Sequence, residues 1–149
     1  MPLNQSLKGK EYEQVSFTVE RDLVTQFARA IGEENPVFLD TEAAKAAGFP
    51  DQIAPPTFPT TLQIRTSGAA VLDPELGLDY TRVVHGEQEF DIRRPMVVGD
   101  ELSATPRIAD IYAKGPNEFL VIEAEIVDKA GQVVCVSRST LLSRGTAEG

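Results

Sequence analysis

The sequence predicts an α+β domain in which helices and strands are segregated along the chain. Three observations carry that prediction. Helical periodicity fills the N-terminal half, strand periodicity takes over from Val83, and no βαβ alternation links the two. The order reads β-α-α-α-β-β-β-β, and a long helix wrapped by one curved antiparallel sheet is the packing that buries both apolar faces.

Each element follows from its own pattern. Lys10–Val19 alternates around Tyr12, Val15, Phe17 and Val19, which predicts a first strand. Leu23, Val24, Phe27, Ala28 and Ile31 fall on one helical stripe, and Gly32 is placed to close it. The alanine-rich Thr41–Ala47 predicts a short second helix ended by Gly48. Pro50, Pro55, Pro56 and Pro59 mark an irregular passage. Because proline suits the first turn of a helix, Thr57 opens a third helix that runs through Leu72, weakened at Gly68. Four long strands follow at His85–Arg93, Glu101–Ala113, Glu118–Asp128 and Gln132–Ser143. The turns Gly99-Asp100, Gly115-Pro116-Asn117 and Lys129-Ala130-Gly131 separate them and imply consecutive antiparallel hairpins. Within Glu118–Asp128, Leu120, Ile122, Ala124 and Ile126 form a core face, while Val121, Glu123, Glu125 and Val127 form a half-wet one. One domain is expected over residues 1–149, with Gly145–Gly149 as a frayed tail.

Composition removes several classes of function. With 149 residues and 42% hydrophobic content the chain can bury one core. No apolar run approaches the ~20 residues of a membrane-spanning helix. Met1–Ser6 lacks the charged and apolar regions of a signal peptide, so a cytoplasmic location is expected. One cysteine and one histidine exclude an internal disulfide and are too few for a zinc site, so neither metal nor cofactor is expected. Fourteen Lys and Arg against 23 Asp and Glu give a net charge of −9, which repels nucleic-acid phosphates. Neither GxGxxG nor GxxxxGK[ST] occurs, and no serine sits in a GxSxG turn. Cys135, among Val133, Val134 and Val136, reads as a buried hydrophobe. On a regular strand His85, Glu87, Glu89 and Asp91 share one face, either as an acid–base row or as a solvated face paired with Arg93 or Arg107.

Two stretches say more. Ala30-Ile31-Gly32-Glu33-Glu34-Asn35-Pro36-Val37-Phe38-Leu39-Asp40 follows the amphipathic helix, and Ile53-Ala54-Pro55-Pro56-Thr57-Phe58 opens the third. They resemble the MaoC-like (R)-specific enoyl-thioester hydratases and 3-hydroxyacyl dehydratases. The hallmark of that family is helix-G-D-x-N-P-[aliphatic]-H-x-D, then an aliphatic-Ala-His-Gly start to the central helix. Arg94–Leu102 is similar to the family's second hairpin, and the resemblance covers nearly the whole chain. It implies the hot-dog fold.

In catalytic members the aspartate and histidine of the motif activate a water and move its proton across the enoyl double bond. Here Glu33 stands at the aspartate position and Phe38 at the histidine position. A phenyl ring transfers no proton. Ala-His-Gly is replaced by Ala54-Pro55-Pro56, so Pro56 offers no N–H to a thioester carbonyl and Thr57 is the first donor. The chain therefore resembles the degenerate halves that line an acyl channel beside a catalytic partner, as does its His85-Gly86-Glu87 element.

That likeness implies an acyl-CoA or acyl-ACP thioester as substrate and a homodimer or a heterodimer with a catalytic MaoC-like subunit. Asn35, Pro36, Ala54, Pro56, Thr57, Phe58 and His85 become candidate substrate-binding residues. Two other readings stand beside it. One is a homodimeric hydratase or thioesterase using Glu33, or His85 with Glu87; the other is a non-catalytic acyl-CoA-binding module.

Overall fold

The computed structural model describes residues 1–147. Strand β1 (Val15–Thr18) leads into helix α1 (Arg21–Ala30), a single 3-10 turn at Pro36–Phe38 and helix α2 (Thr41–Ala46). A longer 3-10 turn (Phe58–Leu62) runs into helix α3 (Gln63–Val71), and strands β2 (Val83–Ile92), β3 (Glu101–Lys114), β4 (Asn117–Val127) and β5 (Val133–Ser143) complete the chain. The strands form one antiparallel sheet in the order β1-β3-β4-β5-β2, with α3 packed on its inner face against β3 and β4. This is the α+β, hot-dog arrangement.

The helix ends follow the local sequence. Beyond α1, Gly32 adopts φ +73°, its N–H bonds to the Arg29 carbonyl, and the Glu33 N–H reaches back to Ala28. That is a Schellman stop, which an L side chain at Gly32 would strain. Asp40 caps α2 by accepting from the Ala43 N–H at 2.9 Å. The third helix departs from the single rod expected over Thr57–Leu72. Proline at position 59 lacks an N–H, and the first five residues wind as a 3-10 turn before α-helical bonding begins at Gln63.

The strands lie close to their expected limits, but two expectations are corrected. First, the regular ladder of β1 begins only at Val15, although Gly9–Tyr12 still exchanges backbone bonds with β3. Pro106 accepts from the Tyr12 N–H but returns none, so the ladder is interrupted there. Second, β2 and β3 do not form a hairpin. β2 pairs with β5, and the connection crosses to the far side of the sheet. It is held on the way by Ala54 N–H to Met96 O at 2.8 Å and Val98 N–H to Gln52 O at 2.9 Å. The Gly99-Asp100 turn then docks on β1 through a reciprocal pair of backbone bonds with Val19.

The inner face carries two apolar clusters. One joins Phe17, Val24, Phe58, Met96 and Ile126 near the start of the 3-10 turn, and the other joins Leu3, Ala70, Leu76, Ile108 and Leu120 under α3. Leu120, Ile122, Ala124 and Ile126 are buried as the alternation predicts. Glu118 lies on the same face and is only 2% exposed. Its carboxylate accepts the Leu3 N–H at 2.9 and 3.0 Å and the Thr146 hydroxyl at 2.7 Å. Those bonds satisfy the buried oxygens and tie both ends of the chain to β4. The tail expected to fray from Gly145 is thus held as far as Thr146; Glu148 and Gly149 lie outside the described residues.

Candidate functional site

The segment Gln52–Pro56 organises the candidate site. Gln52 is buried, and its amide donates to the Phe38 carbonyl at 2.7 Å and to the Thr25 hydroxyl at 2.9 Å. The Ile53 N–H bonds to the Val37 carbonyl. Arg21 braces this joint from outside through Asp51 at 3.0 Å and through the Thr41 hydroxyl. The Arg21 guanidinium and the Gln52 N–H hold the Asp51 carboxyl well below the usual carboxylate range. The result fixes the Pro36–Phe38 turn against the entry to the central helix.

Between these two segments and the end of β2 lies an apolar cavity of about 130 Å³. Phe38, Ile53, Ala54, Pro55, Pro56 and Pro59 form one side, and Ile92, Arg94, Pro95, Met96 and Cys135 the other. A similar ~150 Å³ apolar cavity in another protein stays dry and accepts benzene. Neither titratable group in this lining is a proton carrier at neutral pH. Burial, with a smaller contribution from Asp91, pushes the Cys135 thiol up to about 11. Arg94 is held cationic by Asp100 at 2.7 Å, with Asp128 at 3.5 Å, and its pKa rises further.

The structure brings some of the sequence candidates together and leaves others apart. Phe38, Ala54 and Pro56 line the cavity. Phe58 lies beneath, buried edge-on against Phe27 with centroids 5.7 Å apart. Thr57 is exposed, and its N–H makes no hydrogen bond among the described residues. Asn35 caps the 3-10 turn by accepting from the Val37 N–H, with Pro36 in the first position. Glu33 does not line the cavity; its Oε1 accepts from the N–H groups of Glu34 and Asn35, each at 3.1 Å.

His85 also stands outside the cavity, and its assumed face is corrected. A bulge at Gly86 shifts the register between His85 and Glu87. His85 therefore turns inward with Gln88, its Nε2 lying 3.1 Å from Gln88 Oε1, while Glu87, Glu89 and Asp91 face outward. A His85–Glu87 acid–base pair on one face is not formed.

Ile92, Arg94, Pro95, Met96, Pro59 and Cys135 were not among the candidates. Only the pairing of β2 with β5, which sets Ile92 opposite Cys135, and the bridge Ile53↔Val97 bring them to the same place. The available signal was Cys135 on a core face opposite an apolar strand end, but its partner strand was not readable.

A family model described as "FAS1-like, dehydratase domain region" matches residues 6–137. The chain belongs to this MaoC-like hot-dog dehydratase family. A UPF0336 protein of Saccharopolyspora erythraea is 50% identical over 149 residues, covering 99% of this chain and 96% of its own. Among solved structures, a (3R)-hydroxyacyl-ACP dehydratase complex, HadBC of Mycobacterium tuberculosis, includes a chain 26% identical with a TM-score of 0.78, matching 91% of this chain and 96% of that one. A MaoC-like dehydratase superposes with a TM-score of 0.86 at 25% identity; the match covers 94% of this chain but 43% of that one. The (R)-hydratase of A. caviae, at 20% identity and TM-score 0.70 over 93% of this chain and 98% of its own, shares the fold.

Proposed function

We propose that this MaoC-like chain is the non-catalytic subunit of an (R)-specific enoyl-thioester hydratase or 3-hydroxyacyl-thioester dehydratase. It holds part of the acyl chain while a second hot-dog chain supplies the aspartate and histidine. The observation that carries this reading is Phe38, one wall of an apolar cavity, at the position where the family motif has its histidine. The substrate class is an acyl group on CoA or acyl carrier protein, and the setting is the cytoplasm. The HadBC likeness supports the reading, because that protein is a complex and acts on 3R-hydroxyacyl-ACP.

The roles divide as follows. Phe38, Ala54 and Pro56 contact acyl carbons, and Phe58 supports that wall from below. Asn35 and Pro36 hold the loop, and Thr57 offers the first N–H beyond the prolines. Glu33 folds its own turn. In hydration the partner's base takes a proton from water, the oxygen bonds to C3, and a proton is delivered to C2; dehydration is the reverse. At about 130 Å³ the cavity falls below the ~300–1,000 Å³ of complete small-molecule pockets, in keeping with a site finished by another chain.

The test is hydration of trans-2-enoyl-CoA by the purified chain, alone and with a MaoC-like partner that carries the intact motif. Alone, turnover should lie at least ~10²–10⁴-fold below the pair, the usual contribution of a placed acid–base group. Ordinary hydratase rates from the chain alone, abolished by Glu33→Gln, would replace this reading with the homodimeric enzyme. Acyl binding with no gain in the partner's activity or solubility would replace it with the acyl-binding module.

A further inference from the structure

Between the two apolar clusters of the inner face runs a polar belt. On β5 the inward positions read Cys135, Ser137, Ser139 and Leu141, so two buried serines separate the cysteine of one cluster from the leucine of the other. Gln88 on β2 pairs with Ser139 and Phe90 with Ser137, and Ile92 ends the row opposite Cys135 in the cavity wall. Helix α3 packs against β3 and β4, but its first residue, Gln63, reaches across to β5. Amides and hydroxyls are thus set into the inner face one step beyond the apolar cavity.

The hydrogen bonds of the belt run in one direction. Gln63 Nε2 donates to the Ser139 hydroxyl at 3.1 Å, Ser139 donates to Gln88 Oε1 at 2.7 Å, and Gln88 Nε2 donates to Ser137 Oγ at 3.1 Å. His85 Nε2 meets the same Gln88 Oε1 at 3.1 Å. Because that oxygen only accepts, the His85 Nε2 carries the proton. The series ends at Ser137, whose oxygen is bonded but whose own hydrogen meets no acceptor among the described residues. Ser137 is only 6% exposed, and a buried donor without an acceptor costs about 1–3 kcal/mol. It lies two residues from Cys135 on the same strand face, about 7 Å along the strand from the cavity wall. Apolar residues in place of the whole belt would join the two clusters at little cost, so the fold by itself does not call for it.

We propose that Ser137 is the donor of a second subsite, which takes a neutral oxygen carried on the acyl chain beyond the part held in the Phe38–Cys135 cavity. The substrate is then an oxygenated acyl thioester, with a keto, hydroxyl or ether oxygen, rather than a plain hydrocarbon one. The oxygen accepts the Ser137 hydrogen, and the bonds queued behind that hydroxyl strengthen it as a donor. A neutral oxygen suits the belt better than a carboxylate. Gln63, Gln88, Ser137 and Ser139 carry no charge, Arg138 and Glu89 stand on the opposite face, and an anion placed among neutral buried groups pays a far larger desolvation cost. His85, at the exposed end, donates to Gln88 whether its ring is neutral or charged. This deepens the partner-subunit reading and rests on it only for the ligand's being an acyl chain.

The experiment measures equilibrium binding without turnover, so its outcome is separable from that of the activity test. Calorimetry follows saturated acyl-CoA of one chain length, plain or with a keto group at successive positions, binding to the chain together with a MaoC-like partner that carries the intact motif. One keto position should bind about tenfold tighter than the plain chain, and positions on either side of it should not. Ser137→Ala should abolish that preference, and Ser137→Thr, which retains the hydroxyl, should keep it. A merely structural Ser137 would move the plain and keto affinities together. Should Ser137→Ala not fold by circular dichroism, the position series on the wild type decides by itself. Equal binding of the plain chain and every keto isomer, or a preference that survives Ser137→Ala, overturns the proposal and leaves the partner-subunit reading standing. No binding of any acyl-CoA overturns both.

Discussion

If the Phe38–Cys135 cavity holds acyl carbons, filling it from its own wall should remove affinity without harming the fold. Ala54 is buried in that wall, its N–H fixed to the Met96 carbonyl, and the space beyond it is about 130 Å³. Ala54→Leu adds three carbons to this space and excludes about as many from the ligand. At ~0.8 kcal/mol per buried methylene the loss is about 2.4 kcal/mol, or roughly 50-fold in affinity. Filling an existing cavity is neutral or stabilising, so the thermal midpoint should hold or rise. The assay is the Michaelis constant of the reconstituted pair for enoyl-CoA substrates of increasing length. The penalty should be absent for chains too short to reach the cavity and should then grow to its full size. A folded Ala54→Leu variant with unchanged constants at every length would show that the cavity is not the acyl site.

Four further outcomes follow from the same geometry. Phe38→His should leave the isolated chain within about tenfold of background hydration, because Glu33 and the two prolines remain and such groups act as a unit; full turnover by the variant alone would refute this. Cys135 should resist a thiol reagent at pH 8, where a thiol with pKa about 11 is about one-thousandth ionised, and react once denatured; rapid labelling of the native chain would contradict the burial. Glu118→Gln replaces an acceptor of the Leu3 N–H and should cost about 1.5–3 kcal/mol in urea unfolding, with an unchanged midpoint as the failing result. Asp51 ionises more readily folded than unfolded, so its contribution is present above the ordinary carboxylate value near ~3.9 and fades as pH falls through the folded value; Arg21→Ala should raise its NMR titration midpoint, and an unmoved midpoint would refute the pairing.

Local rules made most of the elements legible. Gly32 and Gly48 announce the helix ends, and alternation in Glu118–Asp128 assigns the core face residue by residue. What was not legible depends on contacts distant in sequence. The pairing of β2 with β5 joins residues about fifty positions apart, and no local signal distinguishes it from a hairpin with β3. The bulge at Gly86 is a one-residue event, yet it turns His85 away from the carboxylates that alternation groups with it. The cavity suffered most, because one wall comes from the Phe38 and Ala54 segments and the other from Ile92–Met96 and Cys135.

The departures from the family motif are coherent once their desolvation costs are weighed together. Removing only the histidine from such a site would leave donors aimed into a dry space, and an unpaired buried donor costs about 1–3 kcal/mol. In this chain the Ala54–Pro56 stretch aims no free N–H into the cavity: the Ala54 N–H bonds to the Met96 carbonyl, and Pro55 and Pro56 have none. Outside the cavity lining, the Glu33 carboxylate accepts the N–H groups of Glu34 and Asn35, and the buried Gln52 amide donates to Phe38 O and the Thr25 hydroxyl. Among the described residues no buried side-chain nitrogen or oxygen lacks a partner. Replacing both halves of a polar arrangement with apolar groups is nearly neutral, whereas replacing one is not. On the proposed reading, Phe38 and the two prolines act together, forming an apolar wall at the positions where the family motif is polar. Restoring any single polar group there would place an unpaired dipole in apolar surroundings, and under the proposed function the reacting groups come from a partner chain.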